Sequence, residues 1–256
     1  MLPKRFVLLI GLGAALAFPL GVRAESRSEL APGRQVYEVH CAICHGVKGD
    51  GRGDAASRFA TPPRDFTKGE YKLRSTGSGQ LPTDADLIRS TTQGLPGTAM
   101  VPQDHLNERE VRAVVTYIKS LSPKFAARPS PKALAILPPP PHTPEAVARG
   151  QQAYKKGECA ECHGPEGRGD GPSARDLSVK PTDLTGRPLK SGPTPRDILR
   201  SVLTGLDDTP MPSYHLVLED EELWDLAYYV VSLGGPPEMT DDERAGWEVE
   251  RRHKQH

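Results

Sequence analysis

All four cysteines of the chain fall in two copies of one pentapeptide, Cys41-Ala42-Ile43-Cys44-His45 and Cys159-Ala160-Glu161-Cys162-His163. In this spacing two thiols can each add across a vinyl group of one haem while the adjoining histidine ligates the iron. No cysteine is then left for a disulfide. Two other chemistries use Cys-x-x-Cys. A zinc site would need all four thiolates to converge, and a redox dithiol has no use for the histidine. The same histidine and the same following glycine (Gly46, Gly164) in both copies favour covalent haem, and hence two haem c groups.

Each iron would take His45 or His163 on one side and needs a sixth ligand. Met1 is the initiator and Met239 lies in a charged tail, which leaves Met100 and Met211, 55 and 48 residues beyond their histidines. A thioether favours Fe(II) and raises the potential above that of a bis-histidine site. An isolated methionine is more often core filler, but these two stand at equivalent places, six residues after Gly94 and Gly205, beside Pro102 and beside Pro210 and Pro212. The rivals are His105 and His215, which read better as loop residues ahead of a helix. His40 adjoins Cys41 and is badly placed to turn back onto the same iron, and His142, His253 and His256 read as solvated. For the haem propionates, Tyr71, Lys72 and Arg74, and in the second half Arg187 and Lys190, are the expected partners.

The elements that must hold these groups are written twice. The motifs lie 159 − 41 = 118 residues apart, and their surroundings repeat with them. Gly33 and Tyr37 answer Gly150 and Tyr154. Gly49, Gly51 and Gly53 answer Gly167, Gly169 and Gly171, and Pro63-Arg64-Asp65-Phe66-Thr67 answers Pro181-Thr182-Asp183-Leu184-Thr185. A second helix is expected in each half between an N-cap threonine (Thr83, Thr194), with Asp86 and Asp197 as capping-box partners, and a terminating glycine (Gly94, Gly205). A third, at 106–121 and 218–233, repeats apolar positions at helical spacing, with Tyr117 and Tyr229 equivalent. Gly33 and Gly150 would let the first helix approach the third closely. Between the halves, four prolines at 138–141 favour an extended, semi-rigid linker, and Pro144 suits the first position of the next helix.

Of 256 residues, 36% are hydrophobic and 5% aromatic, sparse for a globular chain, so two buried haems would supply missing apolar bulk. Pro and Gly together number 51, implying much loop and short helices. The formal net charge of zero gives no reason to expect a nucleic-acid partner. Residues 1–24 read as an export signal: Lys4 and Arg5, an apolar run at 6–20, then small residues around a cut before Glu25. That apolar run is short for a membrane span, although a retained N-terminal anchor is the alternative. The expected organisation is a signal peptide at 1–24, domains at 25–122 and 145–235, a proline-rich linker at 123–144 and a charged tail at 236–256. The expected location is the periplasm.

On these residues, both halves resemble class I c-type cytochromes, the His/Met electron carriers of bacterial respiratory chains. The match covers about 31–121 and 146–233. It rests on the two pentapeptides, on Met100 and Met211, and on the sets Gly33, Tyr37, Tyr117 and Gly150, Tyr154, Tyr229. The resemblance implies an all-α fold: two tandem class I cytochrome c domains with long Gly/Pro-rich loops, each crossing its first and last helices around a haem with one solvent-facing edge. The tandem arrangement is similar to dihaem cytochromes of the cytochrome c4 type, from which the chain departs in its insertion at 46–82 and its linker. The expected function is electron transfer between respiratory redox proteins, without enzymatic activity or a small-molecule substrate. The alternatives are a cytochrome subunit of a membrane-associated oxidase or dehydrogenase complex, and a dihaem enzyme such as a peroxidase, which would need an open distal site.

Overall fold

The computed structural model describes residues 27–127 and 131–234; the expected export signal and the charged tail at 236–256 lie outside them. Among the described residues the regular structure is helical, as expected, with no strand. The first half holds α1 (Arg27–His40), α2 (Ala42–His45), α3 (Asp84–Gln93), α4 (Glu108–Ser120) and the short α5 (Pro123–Ala127). The second half repeats the first four as α6 (Pro144–Lys156), α7 (Ala160–His163), α8 (Pro195–Thr204) and α9 (Asp220–Leu233).

Each half is closed by a crossing of its first and last long helices, α1 on α4 and α6 on α9. The crossing point is a glycine because nothing larger fits. A Cβ on Gly33 would overlap the carbonyl of Ala113 and the Cβ of Tyr117, and one on Gly150 would overlap the Asp225 carbonyl and the Cβ of Tyr229. The tyrosines pack across, with ring centroids 5.2 Å apart for Tyr37 and Tyr117 and 5.4 Å for Tyr154 and Tyr229.

The second helices begin as their sequence requires. Thr83 Oγ1 accepts from Asp86 N at 3.2 Å while the Asp86 carboxylate accepts from Thr83 N at 3.0 Å. Thr194 and Asp197 make the same reciprocal pair, 3.2 Å each way. Such a box satisfies two donors that a helix start otherwise leaves bare. α4 opens on a further box, Asn107 with Glu110. The apolar stripes then build two cores: Tyr37, Phe66, Leu87, Val114, Val115 and Ile118 in the first half, and Leu199, Leu203, Leu223, Trp224, Leu226 and Val230 in the second. Fully burying a side chain such as Val114 contributes about 1.5–3 kcal/mol.

The linker departs from the expectation at its start. Residues 123–127 form α5 rather than extended chain. Residues 131–143 carry no helix or strand, but they are fastened to α9. Trp224 Nε1 donates to the Leu137 carbonyl at 3.2 Å and the Tyr228 hydroxyl to the Pro140 carbonyl at 2.6 Å. His142, read as simply solvated, lies flat on Tyr228 with centroids 4.3 Å apart. Proline cannot donate, but its carbonyl accepts freely, so a proline run can still be held by side chains of a neighbouring helix.

Candidate functional site

Each pentapeptide forms a single helical turn; the first continues from α1, whereas the second is set off from α6 by Gly157 and Glu158, the latter in the left-handed region (φ 53°). Cys41 N donates to the Tyr37 carbonyl at 2.9 Å, and His45 N to the Cys41 carbonyl at 2.9 Å; His163 N donates to the Cys159 carbonyl at 2.8 Å. Positions i, i+3 and i+4 of a helix share a face, so two thiols and an imidazole are presented together in both halves.

The loop that follows is anchored from below by the repeated tyrosine. Tyr37 donates its hydroxyl to the Gly46 carbonyl at 2.8 Å, and Tyr154 donates to Gly164 at 2.7 Å. The Gly-rich loop next captures the repeated Pro-x-Asp segment. Phe66 N donates to the Gly49 carbonyl at 2.7 Å and Leu184 N to Gly167 at 2.6 Å. That contact brings a backbone carbonyl to each histidine: Arg64 O lies 3.0 Å from His45 Nδ1, and Thr182 O lies 2.9 Å from His163 Nδ1.

A carbonyl can only accept, so Nδ1 carries the proton and Nε2 keeps its lone pair for a metal. Burial pushes both imidazoles below the ordinary histidine range, outweighing the opposing effect of the carbonyl contacts and leaving the neutral, ligating form. Sequence reasoning registered the repeat of this segment but missed what its carbonyl does. The signal was the constant spacing of 19 residues from histidine to carbonyl in both halves.

The thiols do not suit a redox dithiol. Burial drives both Cys41 and Cys159 up to about 11, whereas a reactive Cys-x-x-Cys depends on a lowered thiol. A shared zinc site is also at odds with the geometry: among the described residues no three His, Cys, Asp or Glu side chains converge.

The two methionine loops have one hydrogen-bond plan. Leu95 N donates to the Met100 carbonyl at 2.8 Å, Thr98 Oγ1 donates to the Leu95 carbonyl at 2.7 Å, and Met100 N donates to Thr98 Oγ1 at 3.1 Å. In the second half Leu206, Thr209 and Met211 make the same contacts at 3.1, 2.6 and 3.2 Å. Thr98 and Thr209 were legible as a threonine two places before each methionine, but their role in closing the loop was not. Both methionines are half-buried. Of the rival histidines, His105 pairs with His40 at 3.2 Å on the surface, and His215 is exposed.

These residues fit a covalently attached haem, and one further observation supports the fit. The Tyr71 hydroxyl is the single buried side-chain polar atom among the described residues with no hydrogen-bond partner. Its ring stacks on Phe66, which stacks on His45 with centroids 4.4 Å apart. A buried donor left bare costs free energy, and a haem propionate is an acceptor suited to it. The two arginines expected beside the propionates are otherwise engaged. Arg74 spends all five N–H groups on four backbone carbonyls and Asp207. Arg187 gives four of its five to Leu184 and Gly186 and to Val230 and Val231 near the end of α9. Both guanidiniums thus serve carbonyls that would lack partners, a demand that sequence spacing does not reveal.

Residues 30–122 match the family described as "Cytochrome c", and residues 145–230 match the family described as "Cytochrome C oxidase, cbb3-type, subunit III". The chain is 28% identical over 217 residues to a "Cbb3-type cytochrome c oxidase subunit CcoP" of Azospirillum sp. (strain B510), and 27% identical over 212 residues to the protein of that name in Azospirillum brasilense. Each alignment takes in 80% of this chain and 62% of the relative, so the chain spans about three-fifths of the length of these curated relatives. Among solved structures it is similar to a chain of the "Kuenenia stuttgartiensis reducing HAO-like protein complex Kustc0457/Kustc0458", with 41% identity, a TM-score of 0.75, and coverage of 79% of this chain and 95% of that one. The chain belongs to the cytochrome c family, as a dihaem c-type cytochrome whose two tandem domains each bind one haem c covalently.

Proposed function

We propose that the chain is an electron-transfer protein in which domains 25–122 and 145–235 each hold one haem with histidine and methionine as axial ligands. The observation that carries this reading is the pair of Nδ1-to-carbonyl contacts, His45 with Arg64 and His163 with Thr182, which orient a neutral Nε2 in both halves. Cys41 and Cys44, and Cys159 and Cys162, are the attachment residues. Met100 and Met211 supply the sixth ligands from matched loops. The bound haem supplies a one-electron Fe(III)/Fe(II) couple.

The protein's part is to hold the ligands still. Each imidazole is fixed by its carbonyl and each methionine loop by its threonine, so little has to move when an electron arrives. Filling both axial positions with side chains leaves no place for a substrate, which is why a carrier is favoured over a peroxidase. Around the first motif Val39, Ile43 and Val47 are more than half exposed, where the second half has Lys156, Glu161 and Pro165. The first motif is thus the more apolar of the two for the small, transient contact that redox partners make, while the second domain exposes Leu216 and Val217 after its methionine loop.

The Azospirillum and Kuenenia relatives are named as parts of an oxidase and of a protein complex. This favours a second form of the same function, in which the partners of the chain are subunits of a membrane-associated oxidoreductase. Copurification with a solubilised membrane complex supports that form; a free carrier recovered from the soluble fraction opposes it. A periplasmic location is proposed on the basic and apolar pattern of residues 1–24. Fractionation and N-terminal sequencing of the mature protein test it.

The reading is tested by covalent-haem staining of a denaturing gel, followed by spectroelectrochemical titration of the full chain. Two haems per chain and two high-potential steps are expected. Met100→Ala and Met211→Ala should each abolish the methionine–iron charge-transfer band of one haem and lower its potential. A wild-type protein in which one haem lacks that band overturns the carrier reading.

A further inference from the structure

We propose that Arg74 of the first domain is a positioning residue for the Met211 loop of the second, so that the axial ligation of one haem depends on the docking of the other domain. The inference rests on Met211 being an axial ligand. It starts from an asymmetry in the repeat. The path from histidine to methionine is 55 residues in the first half and 48 in the second, and the additional chain lies before α3.

Within that longer loop, the Arg74 side chain is fully enclosed. Its Nε donates to the Gly77 carbonyl at 3.1 Å, and Nη1 donates to the Tyr71 and Lys72 carbonyls at 3.2 and 3.5 Å. Those contacts stay within the loop. Nη2 leaves it, donating to the Thr204 carbonyl at 3.0 Å and to Asp207 Oδ1 at 2.8 Å. Thr204 ends α8, where carbonyls lack helical partners. Asp207 sits in the loop leading to Met211 and also accepts from Ser78 Oγ at 3.0 Å and from Gly79 N at 3.1 Å. Its neighbour Asp208 faces Arg64 at 3.5 Å. One domain therefore grips the other's ligand loop chiefly at the Asp207 carboxylate, which takes three donors, with Arg64 facing Asp208 beside it.

The first domain's ligand loop has the same backbone without the grip. Gly97 (φ 69°) and Asp208 (φ 61°) occupy the same left-handed position, and Pro96 stands where Asp207 does. Asp208 tolerates this backbone because its short polar side chain suits the left-handed region better than most. Across the seam, the second domain's shorter loop at 190–193 faces residues 93–96 over a cavity of about 220 Å³ instead of a filled contact. The coupling is thus unequal: parting the domains would strip the Met211 loop of the Arg74, Ser78 and Gly79 donors, whereas the Met100 loop would lose the approach of the Pro188 carbonyl to Gly97. Parting the domains would leave the enclosed Arg74 guanidinium without two of its five acceptors, the Thr204 carbonyl and Asp207.

The test uses the full-length protein with both haems. In the reduced state each ligated methionine gives a ring-current-shifted methyl resonance, and Met211→Ala identifies the one belonging to the second domain. Asp207→Ala is expected to broaden or remove that resonance and to lower the potential of that haem alone, with the Met100 resonance and the other potential unchanged. Asp207→Asn, which keeps one accepting oxygen and the side-chain volume, should give a smaller change of the same kind, and Arg74→Gln should reproduce Asp207→Ala. If Met211→Ala removes neither resonance, the ligand assignment falls and the proposal with it. If Met211→Ala removes one resonance while the Asp207 variants shift neither resonance nor potential, the ligand assignment stands and the positioning role alone is overturned.

Discussion

The hydroxyl of Tyr154 donates to the carbonyl of Gly164 at 2.7 Å, tying the helix before the haem motif to the first residue after it. Tyr37 makes the same bond to Gly46 in the first half. Because both tyrosines are buried, a lost hydroxyl would leave a carbonyl with no water to replace it. Tyr37→Phe and Tyr154→Phe should each destabilise the folded protein by about 1–3 kcal/mol. Denaturant unfolding of the haem-loaded protein measures this, and the double variant should lose the sum, since the two sites share no partner. A loss within about 0.3 kcal/mol of zero would refute the anchoring role.

The helix crossings allow a sharper test. At Gly33 and Gly150 the opposing atom is a backbone carbonyl, which cannot rotate away as a side chain could. Gly33→Ala or Gly150→Ala should therefore cost about 3 kcal/mol, the upper end of ordinary overpacking. Gly186, where an added Cβ would meet only the Asp183 carbonyl at an ordinary 3.7 Å, is the control. Thermal unfolding of Gly150→Ala with no lower midpoint than wild type would show that the crossing is not as tight as described.

Acid stability of the second domain should depend on Asp197. Burial pushes its carboxyl upward, but hydrogen bonds from Thr194 and Arg200 outweigh this and hold it below the usual carboxylate range. A depressed carboxylate contributes stability that is complete above its unfolded value, about 3.9, and is lost as pH falls through the folded value. Asp197→Asn should thus weaken the protein near neutrality by about 1 kcal/mol through the damaged cap, and should flatten the acid limb of the stability curve. Parallel acid limbs for the variant and the wild type would contradict this.

Much of the fold was legible because the chain states it twice. Thr83 with Asp86 and Thr194 with Asp197 are local signals, read within four residues, and the structure contains both boxes. The glycines at the crossings and the tyrosines opposite them were legible from their equivalence in the two halves. The roles of Arg64 and Thr182 were not, because a backbone carbonyl has no side-chain signature and its partner lies 19 residues away. Arg74 was misread for a related reason. Its position in a loop suggested a cation available to a haem propionate, whereas its acceptors include Thr204 and Asp207, 130 and 133 residues distant. Nothing local in the sequence distinguishes a solvated arginine from one that bridges two domains.

The linker supplies the last prediction. Within residues 131–143, Leu134 N donates to the Ser75 carbonyl at 2.8 Å, and α9 adds two side-chain donors, Trp224 Nε1 to Leu137 and the Tyr228 hydroxyl to Pro140. Each such bond contributes about 1 kcal/mol, so together they suppress local detachment by roughly 30-fold relative to an untethered strand, at about 1.4 kcal/mol per factor of ten. Trp224→Phe with Tyr228→Phe keeps most of the buried aromatic bulk while removing both donors. Tryptic cleavage after Lys132 should then accelerate by about that factor in the double variant, with Tyr228→Phe alone intermediate. Equal cleavage rates in all three proteins would mean that the linker is held by the bond from Leu134 N to Ser75 and by packing of Leu134 and Ile136 on the second core, and that the two bonds from α9 add nothing.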